Sequence, residues 1–496
     1  MMDNKLNILM AASECVPFVK VGGLADVVGT LPKYLKSLGN DVRIILPKYR
    51  AIDERKYKLE TLPFRLQVNV GNETHPFTLK HCIADDGIQV YFIENMRYFN
   101  RQGIYGEGGL DYPDNRDRYI FFSRAVLESV KALSFRPDII HCHDWQTALI
   151  PAYLKTTHRN DGFFWNSSCV YTIHNIAYQG AFSEDTVEAA GFARMDFTPA
   201  KIEYYGGVNF MKSAITLADR VSTVSPTYAL EIKDFNGRGM EWSLNHRADK
   251  IYGILNGIDY DYWNPKIDKN IAAKFNKKNI NGKILCKQDL QKMCGFDIDK
   301  DAYLFGCVSR LDWQKGIDVI IDAVNQLKDE NMQFVVLGSG DMNIKRDLQN
   351  LAAKYPKKIA AFFDFNEALA HKIYAGADSY MMPSRFEPCG LSQMISLAYG
   401  TIPIVNRVGG LSDTIKYYNH YSGKGNGFVF NLTYGENFVQ TILKAQKIFK
   451  DKALWKVLMQ NAFNCDFAWS QSVLEYQKMY SDLINQKKSE TFSIRS

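Results

Sequence analysis

Two basic residues stand close together in VSRLDWQKG, residues 308–316, where an apolar run gives way to a polar loop. Arg310 could hold phosphate oxygens with two parallel hydrogen bonds, and Lys315 could add a point charge. Together they would suit a diphosphate and would stabilise the negative charge that develops on a nucleotide leaving group. Isolated Arg and Lys residues are more often solvated surface charges, so the spacing alone leaves both interpretations open.

A carboxylate stands beside a predicted helix start in SRFEPCGLSQ, residues 384–393. The backbone amides at Gly390 and Leu391 could hold a phosphate, while Glu387 could accept sugar hydroxyls or stabilise an oxocarbenium-like transition state. The alternative is a structural glutamate that the helix dipole favours. Cys389 is interpreted as a packing residue, because no partnering base stands at a recognisable spacing from its thiol.

A third segment, KVGGLADV at residues 20–27, follows the first apolar run of the chain and precedes a helical pattern. Gly22 and Gly23 would let backbone amides approach an anion at the helix N-terminus, and Lys20 adds a mobile positive charge. A plain strand-to-helix turn with a surface lysine fits the same residues. The position at the carboxyl end of a strand favours the ligand site, because open α/β sheets bind ligands there.

Two further polar segments follow apolar strands in the first half of the chain. The HCHD sequence at residues 141–144 could suggest a metal site, but the expected Zn ligand spacings are absent, so no metal is predicted. Asp144 and Trp145 better suit sugar hydroxyls and ring stacking. His174 and Asn175 end the next apolar strand, where a lone histidine is more often structural but the polar run that follows favours a pocket.

The hydrophobic pattern around these residues alternates between the strand period and the helix period. Residues 6–12 form an apolar run, the apolar residues between 24 and 38 have helical spacing, and residues 42–46 form a second apolar run. Pro32 inside the helical stretch predicts a kink. The same order of strand and helix returns between residues 304 and 405. The chain is therefore predicted to be α/β, with two doubly wound, Rossmann-like domains.

A segment rich in Gly, Asn, Asp and Pro at residues 253–268 separates the two halves and predicts a domain junction near residue 250. The predicted domains are residues 1–250, residues 251–466 and a C-terminal segment of residues 467–496. Within that segment, residues 469–483 have helical spacing, whereas the last ten residues are polar and are expected to be disordered.

Composition narrows the classes of function. The chain has 496 residues, 46% of them hydrophobic and 23% charged, which is ordinary for a globular protein but too long for one compact core. Lys plus Arg number 60 against 54 Asp plus Glu, and the net charge of +6 gives no nucleic-acid footprint. Nine scattered cysteines without a Cys-x-x-Cys pair indicate reduced thiols and a soluble, cytoplasmic protein. No apolar run reaches the roughly 18 residues that a membrane span needs, so neither nucleic acid nor membrane is expected as a partner.

The segments quoted above and several others resemble, in order, motifs of bacterial glycogen synthases and plant starch synthases. They extend from about residue 6 to about residue 480 and are too long and too numerous for chance agreement. The motifs are KVGGLADV, HCHDWQTALIP, TIHNIAYQG, VSPTYALEI, GILNGIDYDYWNP, SRLDWQKG, EALAHKIYAGAD, MPSRFEPCGLSQ and GTIPIVNRVGGLSDT.

The resemblance implies a GT-B fold, in which two Rossmann-like domains face a central cleft and the C-terminal helix crosses back onto the first domain. The first domain would bind the acceptor and the second would bind the nucleotide-sugar donor. The implied enzyme is a retaining glucosyltransferase that moves glucose from ADP-glucose to the non-reducing end of an α-1,4-glucan such as glycogen. No metal or cofactor is implied, and the oligomeric state stays open.

The resemblance also implies roles for individual residues. Those that would contact the diphosphate leaving group are Lys20, Gly22, Gly23, Arg310 and Lys315. Those that would contact the transferred glucose or line its pocket are Asp144, His174, Asn175 and Glu387. The other substrate-binding residues would be Glu14, Tyr178, Asn256, Cys389, Gly390 and Leu391. The residues implied in catalysis are Asp144, His174, Arg310, Lys315 and Glu387.

The sequence departs from the family pattern at two places, and two other functions compete with the implied one. Gln146 replaces a histidine that many relatives have after the Asp-Trp pair, and Phe365-Asn366 replaces Tyr-Asp, so acceptor fit or rate could differ. One alternative is another retaining GT-B transferase that uses UDP-glucose or a small acceptor, and a second is a non-catalytic glucan-binding protein. A phosphorylase would need a lysine bound to pyridoxal phosphate, for which the sequence gives no signal.

Overall fold

The computed structural model describes residues 5–364, 366–432 and 437–495, and for residues 491–495 it describes the backbone only. Phe365, one of the departures from the family pattern, lies outside the described residues. The chain divides into two compact units, Met1–Leu255 together with Trp469–Ser496, and Asn256–Ala468. Each unit is built on one large, mainly parallel sheet, so the predicted α/β class is confirmed.

The strands are, in chain order, β1 (Asn7–Ala11), β2 (Asp41–Pro47), β3 (Glu60–Thr61), β4 (Leu66–Val70), β5 (Glu73–Ile83), β6 (Gln89–Glu94), β7 (Gly106–Glu107), β8 (Leu110–Asp111), β9 (Ile139–His143), β10 (Ser168–Ile173), β11 (Ala181–Phe182), β12 (Glu203–Tyr204), β13 (Gly207–Asn209), β14 (Arg220–Thr223), β15 (Ile251–Gly253), β16 (Tyr303–Val308), β17 (Met332–Leu337), β18 (Ile359–Phe362), β19 (Ser379–Met382), β20 (Ile402–Asn406) and β21 (Phe428–Phe430).

The helices are α1 (Gly23–Ser37), α2 (Met96–Phe99), α3 (Asn115–Ala132), α4 (Leu149–Lys155), α5 (Thr186–Ala189), α6 (Phe210–Leu217), α7 (Pro226–Asp234), α8 (Glu241–His246), α9 (Asn281–Met293), α10 (Ile317–Gln326), α11 (Met342–Lys354), α12 (Glu367–Gly376), α13 (Ser392–Ala398), α14 (Gly409–Thr414), α15 (Phe438–Lys450), α16 (Lys452–Phe463) and α17 (Trp469–Arg495). α1 remains one helix across Pro32. Within the described part of the chain, no helix combines the length and the apolar character needed to cross a membrane.

The large sheet of the first unit has the strand order β15-β14-β10-β9-β1-β2-β6-β5-β3, with β4 paired to β5. From β15 to β6 neighbouring strands are parallel, whereas β5 pairs antiparallel with β6, β3 and β4. β9 and β10 are buried along their whole length, as parallel strands covered on both faces must be. Because β1, β9 and β10 are neighbours and run in one direction, Glu14, Asp144 and His174 follow carboxyl ends at the same edge of this sheet.

The sheet of the second unit has the order β18-β17-β16-β19-β20-β21, and every pair is parallel. β16 pairs with β19 through Phe305 and Gly306, opposite Ser379 and Tyr380. The loops that follow these two strands therefore start side by side. One of these loops carries VSRLDWQKG and the other carries SRFEPCGLSQ, which explains how segments over 70 residues apart can form one site.

The last helix is longer than the sequence predicts. α17 continues to Arg495, so the expectation of a disordered tail over the last ten residues is wrong through that residue. Two contacts within the first unit hold the helix where this segment begins. Nη2 of Arg220 donates to Oε1 of Gln486 at 2.6 Å, and Nζ of Lys487 donates to the carbonyl of Ser167. The residues that make these contacts are polar, so no hydrophobic periodicity predicts a helix there.

Candidate active site

The turn after β16 is shaped to hold Lys315. Oδ1 of Asp312 accepts from the backbone amide of Lys315 at 3.0 Å and so caps the turn. Gly316 follows with φ 67°, in the left-handed region, and a Cβ at this position would lie 2.2 Å from the carbonyl oxygen of Pro383. Only glycine permits so close an approach. The loop after β16 consequently packs directly against the residue that follows β19.

Glu387 is a buried carboxylate in the loop after β19. Its Oε2 accepts from Nζ of Lys315 at 2.6 Å and from Oγ of Ser384 at 2.9 Å. Burial of a carboxylate is costly without such partners. Nδ2 of Asn406, at the end of β20, donates to the carbonyl of Ser384 at 2.9 Å and fixes the loop from behind. The structure therefore brings two of the predicted catalytic residues together as one ion pair.

The start of α14 packs against the backbone of the same loop. The amide of Gly410 donates to the carbonyl of Glu387 at 3.2 Å. A Cβ at Gly409 would lie 1.9 Å from that carbonyl oxygen, and one at Gly410 would lie 2.3 Å from the carbonyl oxygen of Cys389. The two glycines thus allow the loop that carries Glu387 to sit directly on a helix start.

Arg310 lies on the same loop as Lys315 but is more exposed. Its guanidinium pairs with Asp312 at 3.0 Å and donates to Oε1 of Gln314 at 3.1 Å. Exposed ion pairs of this kind contribute about 1 kcal/mol or less. The guanidinium could therefore exchange Asp312 for a phosphate at little cost, which is compatible with the role that the sequence predicts.

Cys389, Gly390 and Leu391 connect Glu387 to α13, which begins at Ser392. Burial raises the pKa of the Cys389 thiol to about 12, so the sulfur is protonated and a poor nucleophile. This agrees with its interpretation as a packing residue. Gly390 has φ 72°, and a Cβ there would lie 2.5 Å from Oε1 of Gln393. The segment is a tight turn that leads into the first amides of the helix.

Asn256 belongs to the same unit and reaches this turn. Its backbone amide donates to the thiol of Cys389. Its side chain is buried, and among the described residues its Oδ1 has no hydrogen-bond partner. An unpaired buried acceptor costs about 1–3 kcal/mol. A bound ligand that donates a hydrogen bond to Oδ1 would satisfy it.

In the first unit, Glu14 occupies the anion position that the sequence assigns to a ligand. Its Oε2 accepts from the backbone amides of Val21 at 2.5 Å and Gly22 at 2.8 Å, and its Oε1 accepts from the hydroxyl of Tyr105 at 2.5 Å. Burial raises the pKa of this carboxyl, although the three hydrogen bonds act in the opposite direction. The amide of Gly22 is therefore already bonded to a carboxylate of the chain itself, which corrects the expectation that it is open to a ligand.

Lys20 and Gly23 are close in sequence to the two amides that bind Glu14, but both residues are exposed. Nζ of Lys20 pairs with Oδ1 of Asp26 at 2.7 Å, and both side chains are partly exposed. A Cβ at Gly22 would meet no atom within 4 Å, so the space in front of the helix start is open. The lysine can leave an exposed pair at little cost, and its predicted contact with a diphosphate remains compatible with the structure.

Asp144 has a strained backbone at the end of β9. Its φ is 56° and its ψ is −179°, a region that residues other than glycine occupy at a cost of about 1–3 kcal/mol. Its Oδ1 accepts from the backbone amide of His174 at 2.7 Å, which ties β9 to β10. Burial raises the pKa of the Asp144 carboxyl to about 7. Strain together with a shifted pKa at a strand end is typical of a functional residue.

The ring of His174 lies against the ring of His143. Nδ1 of His143 and Nε2 of His174 are 3.0 Å apart, so one ring donates a proton and the other accepts it. Burial lowers the pKa of His174 to about 3 and that of His143 well below its usual value, so both rings are neutral. Among the described residues, no three His, Cys, Asp or Glu side chains are placed to hold a metal ion. A neutral His174 offers a hydrogen-bonding group rather than a positive charge.

Asn175 and Tyr178 shape the loop that follows. Oδ1 of Asn175 accepts from the amide of Ala177 at 3.0 Å, and the carbonyl of Asn175 accepts from the amide of Tyr178 at 3.3 Å. The ring of Tyr178 is half exposed. The loop is thus a closed turn that carries an exposed aromatic ring four residues after His174.

Trp145 does not offer its ring to a sugar. It is buried, and its ring packs edge-on against Tyr119 with the centroids 4.8 Å apart. A Cβ at Gly180 would lie 2.4 Å from the Trp145 ring. The expectation of ring stacking at Trp145 is therefore wrong, because the indole fills the core behind the site. Its neighbour Gln146 is buried as well.

Sequence reasoning missed three residues that build these clusters. Tyr105 is over 90 positions from Glu14 in the chain, and only folding brings its hydroxyl to that carboxylate. Ser384 and Gly409 lie inside segments already quoted for their resemblance. The glycine pair in RVGGLSDT follows a strand and opens a helix, which is the signal that drew attention to KVGGLADV and that could have identified Gly409.

Comparison with known proteins decides the family. Residues 7–246 match the starch synthase catalytic domain, and residues 292–460 match glycosyl transferases group 1. The chain is 46% identical over 485 residues to a glycogen synthase of Elusimicrobium minutum, with 97% of this chain and all of that one covered. It is 44% identical to a glycogen synthase of Clostridium perfringens, over 97% of this chain and 98% of that one. The chain belongs to the glycogen and starch synthase family.

Solved structures agree with this assignment. The catalytic domain of starch synthase IV from Arabidopsis thaliana, bound to ADP and acarbose, is 33% identical and matches with a TM-score of 0.91, over 97% of this chain and all of that one. A sucrose-phosphate synthase from Thermosynechococcus elongatus, 16% identical with a TM-score of 0.61, shares the fold. The predicted GT-B fold and the predicted family are confirmed. The chain is an enzyme, a glucosyltransferase of the glycogen synthase type that acts on a nucleotide sugar and a glucan.

Proposed function

We propose that this glucosyltransferase uses ADP-glucose as the donor and the non-reducing end of an α-1,4-glucan such as glycogen as the acceptor, with retention of the anomeric configuration. The observation that carries the proposal is the buried ion pair of Lys315 with Glu387, in the loops after neighbouring strands. The choice of adenine rests on family membership and on a relative whose structure holds ADP.

The second unit supplies the groups for the departing nucleotide. An ammonium has three donors, and Lys315 uses one of them on Glu387, so the others can meet diphosphate oxygens. Arg310 would leave its exposed pair with Asp312 to hold further phosphate oxygens. Negative charge that builds on the leaving group then meets fixed cations, which lowers the barrier without a metal or a cofactor.

The same loop supplies the group for the transferred sugar. Glu387 is an anion held in one orientation by two donors, and it would accept sugar hydroxyls and oppose the positive charge that develops on the glucose ring. The unpaired Oδ1 of Asn256 would accept from a further substrate hydroxyl or amine. The amides at Gly390 and Leu391 would contribute at the phosphate end.

The first unit supplies hydrogen-bonding groups for the glucose and the acceptor. Asp144, the neutral imidazole of His174 and Asn175 would line the glucose pocket, and Tyr178 would bind on the acceptor side. Lys20 would contact the diphosphate beside the open space at the start of α1. Glu14 would keep the helix start in the shape that admits the leaving group, since its carboxylate holds the amide of Gly22.

Release of ADP from ADP-glucose in the presence of glycogen tests the proposal, beside parallel reactions with UDP-glucose and without acceptor. Acceptor-dependent ADP release supports it. Turnover with UDP-glucose but not with ADP-glucose would show that the proposed donor is wrong. Turnover with a small sugar but not with glycogen would show that the proposed acceptor is wrong. No turnover with either donor would favour a glucan-binding protein without activity.

Two lysine variants connect the activity to the site. Lys315→Gln removes the cation paired with Glu387, and we expect ADP release to fall by a factor on the order of 10². Lys372→Gln removes a lysine that pairs with Asp289 at 2.8 Å elsewhere in the second unit, and we expect no change. Equal activity of the two variants would show that Lys315 does not take part in the reaction.

The thiols support a cytoplasmic location. All nine cysteines are free, seven of them buried. Free thiols in this number persist in a reducing compartment. We therefore place the enzyme in the cytoplasm, and recovery of the activity in a membrane or extracellular fraction would overturn that placement.

A further inference from the structure

Three segments of the first unit are tied together next to the loop that carries His174. Nε2 of Gln179 donates to the carbonyls of Ile176 and Arg238, each at 3.1 Å, and so joins the loop after β10 to the loop before α8. The hydroxyl of Tyr204 donates to the carbonyl of Gly239 at 2.9 Å and joins the turn between β12 and β13 to the same loop. The three segments therefore form one continuous surface.

Each of these segments exposes an aromatic ring. Tyr178 is 50% exposed, Tyr205 is 89% exposed and Trp242 is 66% exposed. The indole of Trp242 stacks on the imidazole of His246 with the centroids 5.3 Å apart and the planes 5° from parallel. A stacked partner on one face holds the indole as a flat platform. Large exposed apolar groups that occur together mark a binding surface more often than groups scattered singly.

We propose that Tyr205 and Trp242, together with Tyr178, bind a stretch of the α-1,4-glucan beyond the sugar residue that reacts. The proposal rests on the proposed acceptor and extends it to longer chains. A pyranose ring has an apolar face of C–H groups, which packs on the face of an aromatic ring much as one ring packs on another. Consecutive glucose units of one chain would thus find consecutive rings.

The charges of these segments fit a neutral polysaccharide better than a polyanion. Glu203 precedes the Tyr204–Tyr205 pair, and Oε1 of Glu203 accepts from the amide of Gly206 at 2.8 Å, which fixes the turn. Glu241 stands directly before Trp242, and Arg238 is the one Arg or Lys on these segments. A nucleic acid or another phosphate polymer would require an excess of cations along its path. A glucan chain requires only apolar faces and hydrogen-bonding groups.

The test compares a long acceptor with a short one in single and double alanine variants. For Tyr205→Ala and Trp242→Ala we expect the KM for glycogen to rise by about two- to tenfold each, from the loss of one ring contact. The two effects should roughly multiply in the double variant, since the rings lie on different segments. The KM for maltotriose and the KM for ADP-glucose should stay unchanged, because a short acceptor does not reach these rings.

Trp165→Ala is the matched control. Trp165 is 67% exposed, close to the value for Trp242, but it precedes the amino end of β10, whereas His174 follows the carboxyl end of that strand. It therefore lies at the opposite edge of the sheet. Its removal should leave the KM for glycogen unchanged, and a far-UV spectrum and melting curve for each variant should show that none has unfolded.

Retardation of the protein in a gel that contains glycogen gives a readout independent of turnover. Loss of retardation in the double variant supports the proposal even if the donor proves to be other than ADP-glucose. An unchanged KM for glycogen and unchanged retardation in the double variant would overturn it. A rise in the KM for maltotriose equal to that for glycogen would also overturn it, because the rings would then serve the reacting sugar itself.

Discussion

Replacement of Glu387 by glutamine is the sharpest test of the second-unit site. The substitution keeps the size of the side chain but removes the charge that accepts from Lys315 at 2.6 Å and from Ser384 at 2.9 Å. A hydrogen bond to a charged group contributes about 1.5–3 kcal/mol and one between neutral groups about 0.5–1.5 kcal/mol. Two bonds weakened in this way should lower the free energy of unfolding by about 2–3 kcal/mol.

The expected loss of activity is larger than the loss of stability can explain. A decrease of that size leaves a protein of ordinary stability folded at the assay temperature. Loss of one preorganised charge at the reacting centre lowers kcat by about 10²- to 10³-fold. We therefore expect a variant whose melting temperature falls by several degrees but whose kcat for ADP release falls by at least two orders of magnitude.

Asp318→Asn is the matched control, because Asp318, in the first turn of α10, pairs with Arg385 on the loop that carries Glu387. Asp318 accepts from Nη1 and Nη2 of Arg385 at 2.8 and 2.6 Å, so its loss also breaks an ion pair two residues away from Glu387. That pair is partly exposed and should contribute about 1 kcal/mol or less, with kcat unchanged. A Glu387→Gln enzyme with a kcat within about threefold of the wild type would refute the assignment of Glu387, given the 10²-fold effect of such charges.

Three further substitutions test residues whose burial the structure defines. The pKa of Asp144 is about 7 in the folded state and near 3.9 in the unfolded state, so the folded state loses stability as the pH rises from about 4 through 7. Urea titrations at several pH values should show that Asp144→Asn removes this pH dependence. A pH dependence retained in the variant would contradict the raised pKa. Trp145→Ala should lower the free energy of unfolding by about 3–5 kcal/mol, measured by urea denaturation, because the indole fills the core. Cys389→Ser should retain most of the kcat, because the thiol is buried and protonated, and a loss comparable with that of Glu387→Gln would contradict its role as a packing residue.

The fold could be predicted where the sequence repeats a simple rule. β1, β9 and β10 each contain a short run of apolar residues and each is followed by polar residues, a pattern typical of parallel strands buried on both faces. The antiparallel extension formed by β3, β4 and β5 has mixed faces and no motif, so its pairing with β6 could not be read from the pattern. The last part of α17 could not be predicted either, because the residues after Ile484 are mainly polar, and polar contacts hold Gln486 and Lys487.

The motifs name candidate site residues, but they do not predict the contacts that these residues make in the structure. Lys315 and Glu387 were assigned to different parts of the substrate, and nothing in their spacing showed that they form an ion pair. The contacts of Glu14 could not be predicted either, because its partners are two backbone amides and a hydroxyl from a distant segment. Trp145 shows the opposite error, since an aromatic residue beside a functional aspartate can belong to the core.

Asp144 shows how backbone strain separates a functional residue from a structural one. Its φ of 56° and ψ of −179° suit glycine, and for aspartate they cost about 1–3 kcal/mol. The hydrogen bond that its carboxylate accepts from the amide of His174 at 2.7 Å returns a similar amount, so the side chain brings little net stability. A glycine at this position would fold as well but would leave no carboxylate beside His174. The strain and the raised pKa of the carboxyl therefore support the proposed contact of Asp144 with a glucose hydroxyl.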